Sequence, residues 1–381
     1  MSSTEPFATA TALYADLPVS VLGEPVRAVR KPGTLAKSGQ PCDGFPIQPV
    51  VDARKRLIGV LAMSAEPDPE VPIGQLLSDF PRLVAGSTLA HAQMHFAQHP
   101  CAYIPLVDFQ GRYTGFCASR QRLIDFMSGH PRPVRIGGLA TPLGVYMTSG
   151  AYTAGAGWQG LIATGLLFGV VAHVLDLWIL VVYSALTAVF PVLAHMGEGL
   201  QLTIDTGLML CTLLMLLRLS PMSGLHAAEH MTINAIERDL PVTLPVVRQQ
   251  SRAHPRCGTN LMVLLAGLQL VGLFLYTSGH AMNPLGQWLY GLGGLALVWK
   301  NWQRVGIWLQ THFTTQVPTD AQLESGLKAG RELLEQYRLR PHAYPGFWPR
   351  LWHSGMITMA ISFAASAWVI QRLLDALWGG Q

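Results

Sequence analysis

The feature that most constrains this chain is its long runs without charged residues. Residues 259–299 contain no Asp, Glu, Lys or Arg, and residues 351–371 contain none either. About 20 consecutive apolar residues suffice for a helix to cross the hydrocarbon core of a bilayer. Over the whole chain 13% of the residues are charged, against roughly 25% in typical soluble domains. The sequence therefore predicts a membrane protein.

The second half of the chain contains five long apolar segments. They cover residues 159–194, 200–218, 259–277, 285–303 and 352–374. We expect five spans, and we expect the first segment to cross once because it lacks a turn-forming cluster at which a hairpin could reverse. The Lys and Arg residues of the connecting loops then all lie in 218–258 and 300–350. The positive-inside rule places these two loops, and the N-terminus, in the cytoplasm.

The first half contains an internal repeat. Residues 46–65 align with residues 102–121 at a constant offset of 56. Each copy predicts a hairpin, because two apolar runs flank a polar turn. Leu89–Ala97 and Arg120–Met127 have apolar residues at helical spacing. We therefore expect a two-copy α+β module. The matched pairs are Pro49/Pro105, Val51/Val107, Asp52/Asp108, Arg56/Arg112, Gly59/Gly115 and Ala62/Ala118.

This repeat resembles the cystathionine-β-synthase-type (CBS) domain over residues 17–128. The resemblance implies a tandem pair that senses adenine nucleotides and forms a homodimer. In that family a Thr ends the second strand, and an Asp three residues later holds the ribose. Here Ala62 and Ala65 occupy those places in the first copy, and Ala118 and Gln121 in the second. We expect weak or no nucleotide binding and a degenerate module used for docking or dimerisation.

The stretch most informative about chemistry is a His-x-x-Glu-His motif within residues 220–258. On a helix His230 lies about 40° and Glu237 about 20° from His226, so these three side chains share one face. Both imidazoles can then reach one ion. Glu229 lies about 60° to the other side, which suits a catalytic base more than a ligand. The same motif occurs in inverted zinc peptidases.

A second cluster of candidate ligands follows the motif at residues 254–257. A catalytic zinc site needs three protein ligands and one open position. Beside the two histidines of the motif, the third ligand is left open among His254, Cys257 and Glu237. Arg252 and Arg256 could hold a carboxylate or phosphate group of a substrate. The expected cofactor is a divalent metal, zinc in the first instance.

Three ordered blocks, HAAEHMTINAIE, HPRCGT and LQTHFTTQVPTDAQLESGL, resemble the signature of the YqhQ family. The resemblance covers about 136–335 and opens with IGGLATPLGVYMTS. It implies a multi-pass bacterial membrane protein and a metal-dependent enzyme. It marks His226, Glu229, His230, Glu237, His254, Arg256, Cys257, Thr314, Thr315 and Pro318. The chain departs from the pattern at Leu143, Ala227, Ile236 and Met231, where the family has Glu, Gly, Tyr and Lys. Because residue 143 is Leu, it cannot supply a carboxylate ligand.

The predicted organisation is a tail at 1–16, a soluble α+β CBS-like pair at 17–128 and an α-helical multi-pass domain at 136–381. We expect a metal-dependent hydrolase at the cytoplasmic face of a bacterial inner membrane, acting on a peptide or a lipid-linked substrate. The alternative is a non-catalytic membrane scaffold or sensor in which a structural metal holds the loop together. The bilayer is the expected partner. The net charge of +4 is too small and too spread out to predict nucleic-acid binding.

Overall fold

The chain divides into two compact units. The computed structural model describes residues 14–30, 46–62, 77, 80–191, 198–278 and 282–378. The first unit consists of the described residues of Met1–Arg135 together with Leu334–Phe347. The second consists of those of Ile136–Leu333 and Trp348–Gln381.

Two hairpins, one from each copy of the repeat, form the centre of the first unit. Its strands are β1 (Gly23–Pro25), β2 (Val29–Arg30), β3 (Ile47–Val51), β4 (Leu57–Ala62), β5 (Leu83–Val84), β6 (Tyr103–Val107) and β7 (Tyr113–Ser119), and its helices are α1 (Leu89–Gln98) and α2 (Arg120–Met127). One sheet has the order β2-β3-β4 and the other β1-β7-β6-β5. In each sheet a short strand lies parallel to the first strand of the hairpin, β2 beside β3 and β5 beside β6. The predicted hairpins and helices are confirmed.

The turns of the two hairpins have the same hydrogen bonds. The Asp52 carboxylate accepts backbone N–H groups two and four residues further along, both at 2.8 Å. Asp108 does the same at 2.8 and 2.9 Å. Arg56 and Arg112, which the repeat matches, face each other in an antiparallel bridge. An Asp at the start of a turn stabilises it in this way, so the repeat in sequence becomes a repeat of structure.

The core of the first unit is completed by a residue from near the end of the chain. Tyr337 is 1% exposed and packs into the main apolar cluster. Arg122 donates hydrogen bonds to the Tyr337 hydroxyl at 3.0 Å and to the Val21 carbonyl at 2.6 Å. The sequence placed 334–347 with the membrane domain. The segment lies in the first unit because a buried aromatic side chain completes that core.

The remaining elements begin with an antiparallel sheet of order β10-β9-β8 and continue as helices. They are β8 (Gly137–Thr141), β9 (Gly144–Thr148), β10 (Thr153–Gly155), α3 (Gly157–Val189), α4 (Glu198–Leu219), α5 (Met222–Glu237), α6 (Leu244–Arg248), α7 (Gly258–Ser278), α8 (Pro284–Leu309), a π-helical turn (Gln310–Thr314), α9 (Asp320–Leu339), α10 (Phe347–His353) and α11 (Met356–Trp378). The long apolar runs therefore fold as helices, as predicted.

Three of the described helices are long and apolar enough to cross a membrane: Gly157–Val189, Gly258–Thr277 and Met356–Leu377. The count becomes four if Ile204–Leu219 and Met222–Glu237, which meet at 75°, are taken as one broken span. Within the described residues, the expectation of five spans is not confirmed.

Segment 285–303 forms α8, which does not meet the combined requirement of length and apolarity. Segment 200–218 forms α4, and its part Ile204–Leu219 meets the requirement together with α5. In α8 the charged residues Lys300 and Arg304 follow the apolar run. The first predicted segment, 159–194, folds as one continuous helix to Val189. Residues 192–197, and with them part of a predicted outer loop, lie outside the described part of the chain.

Small residues bring α3 and α11 close together. A Cβ added at Gly169 would overlap the Ser366 hydroxyl, and one added at Gly165 would overlap the backbone of Met359. Glycines four residues apart on a helix let two backbones approach, which is a common way for membrane helices to associate. The packing of this pair therefore depends on the absence of side chains at two positions.

Candidate metal centre

Helix α5 carries the His-x-x-Glu-His motif and is buried on all sides from Ala227 to Ile236. It packs against β8 and β9. Gly326 and Gly330 of α9 lie so close to Thr232 that a Cβ at either would be 2.7 Å from its side chain. Burial on every face removes solvent from the motif and strengthens electrostatic effects there.

Backbone carbonyls hold both histidines of the motif. Nδ1 of His226 lies 2.9 Å from the Thr314 carbonyl oxygen, and Nδ1 of His230 lies 2.6 Å from that of Arg252. Because a carbonyl oxygen can only accept, each Nδ1 donates a proton and each Nε2 keeps a lone pair. Histidines that bind metals have this arrangement, since the bond of the second nitrogen fixes tautomer and orientation.

The Nε2 lone pair of His226 meets a thiol. Nε2 of His226 lies 3.2 Å from Sγ of Cys257, and the His226 and His230 ring centroids are 4.3 Å apart. One ligand atom from each of these three residues lies within 4.8 Å of the others. A tetrahedral zinc site, with Zn–N of about 2.0 Å and Zn–S of about 2.3 Å, separates its donors by roughly 3.5 Å. Two imidazoles and one thiol therefore fit zinc in chemistry and in spacing.

The other two candidate ligands are paired with each other. Oε2 of Glu237 lies 3.3 Å from Nε2 of His254, and Arg256 forms an ion pair with Oε1. Burial by itself raises the pKa of Glu237, but His254 and Arg256 outweigh it and hold that pKa below its usual value. The His254 backbone N–H donates to Oε1 of Gln310 at 2.8 Å. Of the three alternatives for the third donor, Cys257 is the one that lies with the two histidines.

Glu229 is a buried carboxyl group beside this cluster. Burial raises its pKa to about 7, and the nearby His226 and His254 offset only part of that rise. A Cβ added at Gly138 of β8 would lie 2.6 Å from its Oε1, so the side chain packs directly on the strand backbone. Burial, before any other cause, lowers the pKa of His230 and favours its neutral form. A carboxyl group with a pKa near neutrality can take up and return a proton under physiological conditions.

The two arginines that the sequence predicts to bind substrate have different surroundings in the structure. The Arg256 guanidinium pairs with Glu237, and its side chain is 42% exposed. Arg252 contributes its backbone carbonyl to the orientation of His230. A role of either side chain in holding a substrate stays a prediction.

Two amide side chains that the sequence did not single out hold the loop before α7. Nε2 of Gln310 donates to Oδ1 of Asn260 at 2.8 Å, and Nδ2 of Asn260 donates to the Pro255 carbonyl at 2.6 Å. Gln310 is 0% exposed. Amides neither titrate nor bind zinc readily, so their residue type does not mark them as functional. Their position could have indicated them, because Gln310 lies within the third signature block and Asn260 directly follows the second.

The front part of the chain is similar to solved CBS domain pairs. The CBS domain of a CBS-domain-containing membrane protein from Sphaerobacter thermophilus is 18% identical, with a TM-score of 0.27, covering 31% of this chain and 93% of that one. The CBS domains of a transcriptional regulator from Streptococcus pneumoniae are also 18% identical, with a TM-score of 0.25, covering 29% and 98%.

The helical part of the chain has matches of its own. Residues 158–298 match the family described as "Protein of unknown function (DUF1385)". The "Uncharacterized protein YqhQ" of Bacillus subtilis (strain 168) is 32% identical over 131 residues, which cover 29% of this chain. The match spans 39% of the length of that relative. The matched family segment includes α5 and the loop that carries Cys257. The resemblance of the helical part to the YqhQ family is thereby confirmed.

Proposed function

We propose that His226, His230 and Cys257 bind a divalent metal, with zinc the preferred ion. The observation that carries the proposal is the pair of Nδ1–H groups held by the carbonyls of Thr314 and Arg252. This arrangement leaves both Nε2 lone pairs for a metal ion, and one ligand atom from each histidine and from the thiol lies within 4.8 Å of the others. Among protein donors, such a set suits zinc better than magnesium or calcium, which prefer oxygen.

We further propose that this centre belongs to a hydrolase. A bound zinc ion would supply a Lewis acid. Glu229 would act as the proton carrier, because its buried carboxyl has a pKa of about 7. The absence of a side chain at Gly138 makes room for this carboxyl, because a Cβ there would lie 2.6 Å from its Oε1. Three protein ligands leave one position for a substrate, as a catalytic zinc site requires.

The position of the cluster in the chain supports a substrate presented at the membrane. Cys257 immediately precedes Gly258, the first residue of a candidate span. The five Lys and Arg residues of 218–258 favour a cytoplasmic location for this loop in a bacterial inner membrane. A peptide segment or a lipid-linked group near the headgroups would be within reach.

The second candidate is a structural metal site in a non-catalytic scaffold or sensor. The observation that favours it is the position of His254, whose ring centroid lies 5.8 Å from that of His230. If the His254 side chain turned toward the cluster, the metal would have four protein ligands and a closed site, which is typical of structural zinc. The coordination number therefore separates the two candidates.

Metal analysis of the full chain, purified in detergent, tests the site. His226→Ala and His230→Ala are each expected to abolish stoichiometric zinc, whereas Glu229→Gln is expected to retain it. His312→Ala is the matched control, because His312 is exposed and lies outside the cluster. Full zinc content in the His226→Ala/His230→Ala double variant would contradict the assignment. X-ray absorption of the zinc-loaded protein then counts its ligands.

Turnover tests the catalytic role. The wild type and Glu229→Gln would be compared on an unbiased set of membrane peptides and lipid-linked substrates. Hydrolysis by the wild type and its loss in Glu229→Gln, with zinc retained, supports the hydrolase. Four protein ligands and no turnover would favour the scaffold.

For the front unit we propose self-association with weak nucleotide binding. The Gln121 amide donates to Asp125 at 3.1 Å, so the position expected to hold a ribose is occupied by an internal contact. Ala65, the matching position in the first copy, lies outside the described residues. Light scattering in detergent tests the self-association, and calorimetry with ATP tests the nucleotide binding. A monomer would contradict the first point, and micromolar affinity for ATP the second.

A further inference from the structure

Three histidines follow one another along the surface of α1, far in sequence from the candidate metal centre. His91, His95 and His99 are spaced by four residues, so they occupy one face of the helix and the residue that ends it. The rings of His91 and His95 are stacked with centroids 4.9 Å apart, and those of His95 and His99 with centroids 6.3 Å apart.

The first two rings meet through nitrogen atoms. Nε2 of His91 lies 3.1 Å from Nε2 of His95. In the ion-free chain this contact is held by one shared proton, because one of the two nitrogens must donate. Donor atoms of a tetrahedral site with metal–nitrogen bonds of about 2.0 Å lie roughly 3.3 Å apart. The two nitrogens are therefore already at the spacing that a common ion requires.

The neighbouring groups do not fix which ring nitrogen of His95 carries the proton. Its Nδ1 is buried and has no hydrogen-bond partner among the described residues. Moving the proton from Nε2 to Nδ1 exchanges one unpartnered acceptor for one unpartnered donor, so the two tautomers are similarly unsatisfied. The Nε2 lone pair of His95 is then available to bind an ion, and the ring of His91 is exposed to solvent.

We propose that His91 and His95 form a second metal site, which binds a divalent transition-metal ion of the class that prefers imidazole. Two imidazoles one helical turn apart are a known way to hold such an ion. Copper, nickel and zinc rank above the other first-row divalent ions for nitrogen donors, whereas magnesium and calcium prefer oxygen. The remaining positions stay open to solvent, so the site is exchangeable and suits sensing more than permanent structure.

Nickel binding to the full chain tests this site. The protein would be purified in detergent through a tag without histidines, and bound Ni²⁺ measured by equilibrium dialysis. His91→Gln and His95→Gln are each expected to weaken one binding event by about tenfold or more, since loss of a partner near a metal already costs that much. His91→Gln is decisive, because residue 91 is exposed and Gln is a good helix former.

The control is His130→Gln, an exposed histidine of the same unit whose Nδ1 contacts the Ser128 carbonyl. Nickel bound at Cys257 gives a sulfur-to-metal absorption band that a site of two imidazoles lacks. Loss of one ion in the His91 and His95 variants, with that band unchanged and His130→Gln like the wild type, supports the proposal. Unchanged nickel binding in His91→Gln overturns it, and so does an equal loss in His130→Gln. Absence of the sulfur band in the wild type would count against the candidate metal centre alone.

Discussion

At the scale of single residues, two carboxyl groups on α5 experience opposite environments. Glu229 is 5% exposed and its titratable neighbours are His226 and His254, so burial dominates and its pKa rises to about 7. Glu237 is buried less deeply and pairs with His254 and Arg256, which hold its pKa below the usual value despite burial. Two carboxyl groups with pKa values moved apart can perform different tasks, one carrying a proton and the other keeping a charge.

The first prediction is that Glu229→Gln stabilises the metal-free protein at high pH. In the folded chain the carboxyl keeps its proton up to about pH 7, whereas in the unfolded chain it loses it near 4.5. The folded state therefore loses stability as the pH rises from about 4.5 to 7, and a neutral Gln removes that loss. We expect a gain of about 3 kcal/mol at pH 8 and little change at pH 4. Melting temperatures measured in detergent with a chelator at both pH values check this.

Glu237→Gln is the matched control, with the opposite sign. The lowered pKa of Glu237 means that its pairing stabilises the fold above about pH 4.5, and that this stability is lost as the pH falls through the folded pKa. The variant should melt below the wild type at pH 8 and approach it at acidic pH. If both variants changed the melting temperature in the same direction at pH 8, the two carboxyl groups would not have opposite environments.

A second prediction concerns the glycine beneath Glu229. In Gly138→Ala the new Cβ would lie 2.6–2.8 Å from three atoms of the Glu229 side chain, so that side chain must move. We expect a destabilisation of about 1–3 kcal/mol. In Gly137→Ala the Cβ would meet Thr148 at an ordinary 3.5 Å, so we expect a change within about 0.5 kcal/mol. Thermal melting of the two variants checks the difference, and equal melting temperatures would contradict the close packing of Glu229.

At the scale of elements, α3 and α11 approach each other closely at two glycines of α3. Gly165 and Gly169 of α3 face Ser362 and Ser366 of α11. Lipid tails are as apolar as leucine, so helices in a membrane gain little from burying apolar side chains against each other. Inside a membrane, close packing of small residues would supply the attraction instead. The close approach at Gly165 and Gly169 makes the pair sensitive to a single methyl group.

The third prediction follows from this packing. Gly169→Ala places a Cβ on the Ser366 hydroxyl. We expect the free energy of unfolding to fall by about 1–3 kcal/mol, and the melting temperature to fall with it. Adding Ser366→Ala removes the overlapping oxygen and should restore part of the loss. Gly272→Ala in α7 is the control, because a Cβ there meets nothing within 4 Å and Ala favours a helix more than Gly does. A loss in Gly272→Ala as large as in Gly169→Ala would contradict specific packing.

At the scale of the whole molecule, nearly all the positive charges of the helical half lie in two segments of the sequence. Twelve Lys and Arg residues lie in 218–258 and 300–350, and none lies in 278–284. Positively charged loops stay in the cytoplasm when a bacterial membrane protein is inserted. A cytoplasmic location would also keep Cys257 reduced, so that it is available as a ligand.

The fourth prediction is the orientation of these loops. In a chain whose native cysteines are replaced, Asn283→Cys should react with an impermeant maleimide in intact cells. Gln249→Cys should react only after the cells are opened. Both positions are exposed, so a lack of reaction reports the membrane and not burial in the protein. The reverse pattern would place the candidate metal centre outside the cytoplasm.

Local pattern alone predicted the two hairpins of the front unit and the long helices of the second half. Two apolar runs around a polar turn predicted each hairpin, and longer apolar runs predicted α3, α7 and α11, because such patterns depend on neighbours within a few residues. The His-x-x-Glu-His spacing predicted that His226 and His230 share a helix face for the same reason. Whether a helix crosses a membrane depends in addition on its length and partners, and the expectation of five spans went further than the described helices support.

Only the tertiary structure decided which residues meet. Cys257 joins the two histidines, while His254 and Glu237 pair with each other, because Gln310 and Arg256 hold them. The orientation of each motif histidine is set by a backbone carbonyl, an atom that every residue has and no sequence pattern displays. Tyr337 joins the core of the front unit across more than 200 positions of sequence, as its bond from Arg122 shows. Such contacts depend on burial and hydrogen bonding between distant segments, and these are fixed when the chain packs.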